Sequence, residues 1–115
     1  MAQIETWLYH DLLTPVNVHY LDGCLFADDA NGNVFSVYVT KNGIPVGLSG
    51  TVGAWIMLAD GSTVKATGGT ISGNIATIAI PAGAYAVPGR VSIAIRLTSN
   101  GDVLTLAVIV ANVFG

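Results

Sequence analysis

A short acidic segment has part of the spacing of a calcium-binding loop. Asp29, Asn31 and Gly32 occupy suitable relative positions. Such a loop begins with an acidic ligand and has a glutamate at its twelfth position, but this sequence has Ala27 and Tyr38 at those two places. We therefore interpret the segment as a solvated turn.

The two histidines and the single cysteine lack the neighbours that a metal site needs. His10 and His19 are nine residues apart without a carboxylate–histidine motif, and Cys24 alone cannot form an internal disulfide or a multi-cysteine site. We interpret Cys24 as a small buried apolar residue. The sequence predicts no metal site and no other cofactor.

The glycine-rich segment 68–73 superficially resembles a phosphate-binding loop. It is followed by Asn74 and Ile75 rather than by lysine and a hydroxyl residue, and no helix is predicted after it. No serine has the small-residue elbow of a hydrolase, and most aspartates lie at turn positions. We expect no catalytic residues and no enzymatic activity, with an active site assembled between subunits as the open alternative.

The composition favours a protein that covers part of its own surface. The chain has 115 residues, 52% of them apolar and 10% charged, whereas an ordinary domain has about 25% charged residues. Such a surface is typical of oligomers and of proteins bound to larger particles, and a monomer with a surface rich in threonine and glycine is the alternative. The net charge is −3 and the four cations are scattered, so no nucleic-acid partner is expected.

The two ends of the sequence give no sign of a membrane or an export signal. The first residues lack the basic and apolar regions of a signal peptide. The apolar run 103–115 is about 13 residues long, which is shorter than the ~20 residues needed to span a bilayer. We expect no membrane association, and synthesis in the cytoplasm.

Turn signals divide the chain into short segments rich in valine, isoleucine and threonine. Their spacing predicts an all-β fold, an immunoglobulin-like antiparallel β-sandwich of about seven strands. An extended N-terminal arm (residues 1–15) precedes the sandwich domain (residues 16–115). The turn signals are Asp22-Gly23, Asn31-Gly32, Asn42-Gly43, Asp60-Gly61, Gly73-Asn74 and Asn100-Gly101, and the predicted strands are 16–20, 34–40, 51–59, 63–66, 75–80, 90–99 and 102–111.

Several positions within this sandwich can be predicted from the pattern of apolar residues. Segment 34–40 is apolar on both faces and should be a central strand, while 63–66 should be an edge strand on which Lys65 discourages further pairing. Trp55 and Tyr38 are expected in the core. Segment 81–85 is expected to form one helical turn.

The Asn100-Gly101 pair predicts a two-residue hairpin, and this turn fixes a register. One face then pairs Leu97 with Leu104, and the pairs Ile95–Leu106, Ile93–Val108 and Val91–Val110 continue it. The opposite face of the second strand is also apolar, so we expect it to be covered by a sister subunit, by the capsid or by the chain's own arm. The predicted oligomer or capsid contacts are Val103, Ala107, Ile109 and Ala111 on this face, with Trp7 and Tyr9 of the arm, which could instead fold back onto their own sandwich.

Five segments, taken in order, resemble the N-terminal domain of head fibre proteins from phages of Gram-positive bacteria. Each is only a turn followed by a strand, so their order and spacing carry the resemblance, which covers about residues 4–114. The segments are 17–23 (NVHYLDG), 61–64 (GSTV), 69–77 (GTISGNIAT), 81–89 (PAGAYAVPG) and 108–114 (VIVANVF).

This resemblance implies a capsid-attached, homotrimeric base domain that decorates the phage head. Its partners would be sister subunits and the major capsid protein, and its location the head surface of the virion, after synthesis in the bacterial cytoplasm. Longer relatives carry a distal fibre, so this sequence is expected to be a short decoration protein or a truncated piece of a fibre. Segment 41–46 and the Asp60-Gly61 turn are more distantly similar to N-terminal modules of baseplate upper proteins.

Two alternatives of a different kind follow from the same sandwich. A baseplate or tail assembly module would have the same fold at another place in the virion. A carbohydrate-binding sandwich would need exposed aromatic residues on one face and a route of export.

Overall fold

The computed structural model describes residues 4–16, 18–26 and 33–114, and most of these residues lie in β-strands. All seven predicted strands are present among these residues, and three further short or N-terminal strands accompany them. The strands are β1 (Ile4–Asp11), β2 (Val18–Phe26), β3 (Asn33–Lys41), β4 (Ile44–Pro45), β5 (Thr51–Met57), β6 (Thr63–Ala66), β7 (Thr70–Ser72), β8 (Ile75–Ala79), β9 (Gly89–Ser99) and β10 (Asp102–Phe114), with a 3-10 helix at Ala82–Tyr85.

The strands form two five-stranded sheets that pack as a sandwich, which confirms the predicted fold class. The first sheet has the order β1-β3-β8-β7, with β4 paired to β3, and the second has the order β2-β10-β9-β5-β6. The expectation of purely antiparallel pairing is wrong, because β1 runs parallel to β3 and β2 runs parallel to β10. Parallel neighbours need a crossover connection, and for β1 and β3 the chain supplies it by passing through β2 in the opposite sheet.

The asparagine–glycine turns have the backbone conformation that their sequence predicts. Asn100 and Gly101 have φ values of 53° and 85°, and Asn42 and Gly43 have 54° and 78°. Positive φ at both central residues is the signature of a type I′ hairpin turn, whose twist matches that of the flanking strands. The β3–β4 and β9–β10 hairpins are therefore set by local sequence.

Asp22-Gly23 does not form the predicted turn between strands, and Asn31-Gly32 lies outside the described residues. The pair Asp22-Gly23 is in the middle of β2, where the pairing with β10 jumps from Tyr20–Val110 to Cys24–Asn112. The extra residues form a bulge, which a glycine accommodates easily. The predicted Asn31-Gly32 turn, like the calcium-like segment, falls within residues 27–32, which the structure does not describe.

The N-terminal segment is extended, as predicted, but it is an edge strand of the first sheet rather than a separate arm. Leu8 lies opposite Val37 of β3 and is buried in the core between the sheets. His10, on the same side of β1, is also buried, and this burial lowers its pKa. The segment thus contributes to the sandwich itself.

The side chain of Asp11 holds the end of β1 against the β3–β4 hairpin. Its carboxylate accepts hydrogen bonds from the backbone N–H groups of Leu13 (2.9 Å), Asn42 (3.2 Å) and Gly43 (2.8 Å), and from the hydroxyl of Thr40 (3.0 Å). These bonds, led by that from Gly43, favour the ionised form and lower its pKa to about 2. One carboxylate therefore satisfies three backbone donors that belong to two different turns.

The core lies between the two sheets and contains branched aliphatic side chains from both. The largest buried residues of the first sheet come from β3 and β8, and those of the second sheet from β5, β9 and β10. They include Phe35, Val37, Val39 and Ile78 on one side and Ile56, Ile93, Ile95, Leu106 and Ile109 on the other. This interdigitation of two inner faces is the usual core of a sandwich.

We expect Asp11→Asn to destabilise the protein at neutral pH and to remove part of its acid sensitivity. Because the folded-state pKa lies below the value of 3.8 for an unperturbed aspartate, the carboxylate stabilises the fold above about pH 4 and loses this effect as the pH falls towards 2. Urea unfolding at several pH values between 2 and 7 measures the effect. The control is Asp102→Asn, at an exposed position; equal pH profiles for Asp11→Asn and the wild type would contradict the assignment.

Candidate interaction surfaces

The β9–β10 hairpin has the predicted register only near its turn. Leu97 lies opposite Leu104, as expected, but the pairing shifts between Thr105 and Ala107. Beyond this point Ile93 pairs with Ile109 rather than with Val108. One extra residue on β10 forms a β-bulge, and it exchanges the inner and outer faces for the rest of the strand.

This shift overturns the predicted placement of three candidate contact residues. Ala107, Ile109 and Ala111 are 1%, 0% and 2% exposed and belong to the core of their own sandwich. Val103 precedes the bulge and is 58% exposed, so it stays accessible. The argument that the first three face a partner is therefore wrong.

The outer side of the second sheet is nevertheless apolar, with different residues from those predicted. After the bulge, Val108 and Val110 alternate with the buried residues of β10 and are half-buried. They lie beside Val18 and Tyr20 of β2, both exposed. We call this surface the second-sheet face; its large apolar members are Val18, Tyr20, Trp55, Met57, Val103, Val108 and Val110.

Three aromatic rings stack on the outer side of the first sheet. The ring of Tyr38 lies between those of Trp7 and Tyr9, with centroid distances of 5.1 and 5.2 Å. Tyr38 is half-buried at this surface rather than in the core, so that prediction is wrong. Trp7 and Tyr9 do pack on their own sheet, but both remain exposed enough to contact another molecule. We call these three residues the aromatic cluster.

Trp55 is also on the surface, in contrast to its predicted position in the core. Side chains alternate between the two faces of β5. Val52, Ala54 and Ile56 are buried, so Trp55 lies on the outer face. The Lys65 ammonium lies 4.5 Å from the centre of the Trp55 ring. The Arg96 guanidinium carbon lies 5.2 Å from the same centre, and such contacts between cations and aromatic rings are attractive.

Strand β6 forms one edge of the second sheet, as predicted for segment 63–66. β6 pairs only with β5 and is the edge of the second sheet, and Lys65 projects from it as an exposed residue. Charged residues on an edge discourage pairing with other strands. We therefore expect contacts through the face of this sheet rather than through its β6 edge.

Metal ligation and membrane insertion are two further possibilities that the described residues allow us to examine. Within residues 4–16, 18–26 and 33–114, His, Cys, Asp and Glu side chains do not gather in groups of three or more that could hold a metal ion. Over the same part of the chain, no helix has the length and apolar character to cross a membrane. The prominent surface features are thus the second-sheet face and the aromatic cluster.

Comparison with known proteins gives one informative result. No model of a protein family matches the chain, and no curated protein matches it. Among solved structures, it is similar to the N-terminal domain of phage TP901-1 ORF48, with a TM-score of 0.53 and 14% sequence identity. The alignment covers 96% of this chain and 96% of that chain, so the two domains share a fold over almost their whole lengths.

We expect Ile109→Arg to unfold the protein and Val110→Arg to leave it folded. The first change buries a charge in the core, which should cost at least about 4–5 kcal/mol, a large part of the roughly 5–15 kcal/mol available to a domain. The second places arginine on the half-buried second-sheet face, where its charge can reach water. Circular dichroism and thermal unfolding of the two variants make the comparison; the predicted register requires the opposite order of stabilities.

Proposed function

We propose that this protein is a non-enzymatic structural component of a bacteriophage virion, bound to the outer surface of the head as a homo-oligomer. The observation that carries the phage assignment is the fold match to a domain of a phage protein, with 96% of both chains aligned. The resemblance of five ordered segments to head fibre base domains supports the head as the location. Adhesion through complementary surfaces is the proposed activity.

The surface of the sandwich supports a role in assembly. The chain has few charges, and its exposed large apolar residues are concentrated on the two outer faces. Patches of apolar and aromatic residues are typical of protein interfaces. Trp7, Tyr9 and Val103 are the accessible members of the predicted contact set, and Val108 and Val110 take the place of the three buried members.

We assign the second-sheet face to contacts between sister subunits and the aromatic cluster to the capsid. The second-sheet face is the broader of the two, since it draws large apolar residues from three strands, β2, β5 and β10. A homotrimer, implied by the resemblance, would present three copies of the aromatic cluster to a three-fold point of the capsid lattice. Simultaneous contacts of this kind raise the overall affinity, and a protein that binds only the assembled shell stabilises it.

A baseplate or tail assembly module is the second candidate. The structural neighbour is an N-terminal domain, and such a domain is a module of a longer phage protein. The hairpin at Asn42-Gly43, which belongs to the segment similar to baseplate upper proteins, forms as predicted. Both candidates require a virion and differ only in where the protein is attached.

Immunogold electron microscopy of phage particles distinguishes these locations. We expect antibodies against this protein to label the head. Labelling confined to the tail would support the second candidate, and purified virions without label would overturn the proposal. Particles of a phage that lacks the gene are the control for antibody specificity.

We expect Val110→Arg to convert the oligomer into a folded monomer. A cluster of apolar side chains loses its attraction to an identical surface when each copy gains a charge at the centre. Sedimentation velocity measures the change, with Ser49→Arg as the control because Ser49 is exposed in the loop between β4 and β5. If Val110→Arg sediments like the wild type, the second-sheet face is not the subunit contact.

A further inference from the structure

A notch in the second-sheet face has features that neither the fold nor the proposed assembly contact explains. Gly53 lies in the middle of β5, opposite Arg96 of β9, and its outward position has no side chain. A Cβ atom there would lie 2.9 Å from the Ala66 carbonyl oxygen, so the position requires glycine. The result is a cavity of about 270 Å³. Its walls include Trp55, Lys65, Thr67, Arg96, Thr98 and Val103.

The cavity is positively charged although the protein as a whole is negative. Lys65 and Arg96 are two of only four lysine and arginine residues in the chain, and both line it. Among the described residues, no carboxylate lines the cavity. Two like charges beside one small cavity repel each other, so an anion bound there would lower the energy of both.

Arg96 has an unused hydrogen-bond donor at this place. Its Nε atom is buried and has no hydrogen-bond partner among the described residues. A buried donor without an acceptor is costly, and a native structure usually supplies the missing acceptor from water or a ligand. The guanidinium contacts the face of the Trp55 ring, which leaves the N–H groups in its own plane free to bind an acceptor.

We propose that this cavity, the carboxylate notch, binds the acidic side chain of a neighbouring protein in the assembled virion. The planar donor pattern of arginine matches a carboxylate, and the Lys65 ammonium adds a second charge-assisted contact. The identity of the partner as a virion protein rests on the proposed function, while the recognition of a carboxylate does not.

A small probe tests the chemistry without a virion. In the background Trp7→Phe, Trp55 is the remaining tryptophan, so its indole N–H signal in NMR spectra reports on the notch alone. We expect acetyl-glutamate methylamide to shift this signal in a saturable way, and the neutral acetyl-glutamine methylamide to leave it unchanged. Equal responses to the two probes, or none to either, would overturn the proposal.

Matched variants test the two cations. Arg96→Gln should weaken binding of the glutamate probe by about tenfold or more, because it removes a charge-assisted hydrogen bond. Arg90→Gln, at an exposed position of the same strand, should leave the affinity within about twofold. Equal effects of the two variants would contradict a specific site.

Lys65→Gln provides a second variant, at an exposed position on the edge strand β6. It should weaken binding of the glutamate probe, whereas Lys41→Gln, exposed in the β3–β4 hairpin, should not. Unchanged binding in Lys65→Gln would exclude the ammonium from the site. Added salt should weaken binding to the wild type, since the attraction is between charges.

Incorporation of the same variants into phage particles separates the two proposals. Reduced incorporation of Arg96→Gln, with Arg90→Gln unaffected, supports the acidic side chain of a virion protein as the ligand. If antibodies label the phage head but the notch responds equally to the glutamate and glutamine probes, this inference is overturned. The proposed function is not affected by that result. The opposite result is also informative: the notch binds the glutamate probe, but purified virions do not contain the protein. This result would overturn the proposed function and the virion partner, but not the recognition of a carboxylate.

Discussion

The extra residue in β10 determines which side chains of this strand face the core. Before it, the outward residue is Val103; after it, Ile109 is inside and Val110 outside. Because side chains alternate along a strand, a single insertion affects every later position. The bulge therefore places the branched side chains opposite β3 and β8 and leaves a row of valines on the outside. Both the core and the proposed subunit contact depend on it.

The parts of the fold that local chemistry determines could be predicted from the sequence. Asn42-Gly43 and Asn100-Gly101 impose their own backbone conformation, and the strands between turn signals follow from residue type. The bulge could not be predicted in this way, since Leu106 and Ala107 are adjacent and both apolar, so alternation does not mark the insertion. Likewise, nothing local indicates that β1 lies beside β3, which is a pairing between distant parts of the chain.

The candidate sites show the same division between local and non-local information. Its size alone favours a core position for Trp55, although Val52, Ala54 and Ile56 mark the buried side of β5. Gly53 gave a usable signal, because a glycine inside a strand often marks the close approach of another group. The positions of Lys65 and Arg96 beside Trp55 depend on the pairing of three strands, which the sequence pattern does not specify.

The place of β10 in the second sheet has a consequence for biosynthesis. β10 lies between β2 and β9, so Val18 meets Val108 only after nearly the whole described chain has left the ribosome. Until then β2 has no neighbour in its sheet. Contacts between such distant residues form slowly because a long loop must close first. Completion of the second sheet therefore waits for β10, and the proposed assembly surface exists only once synthesis has passed residue 110.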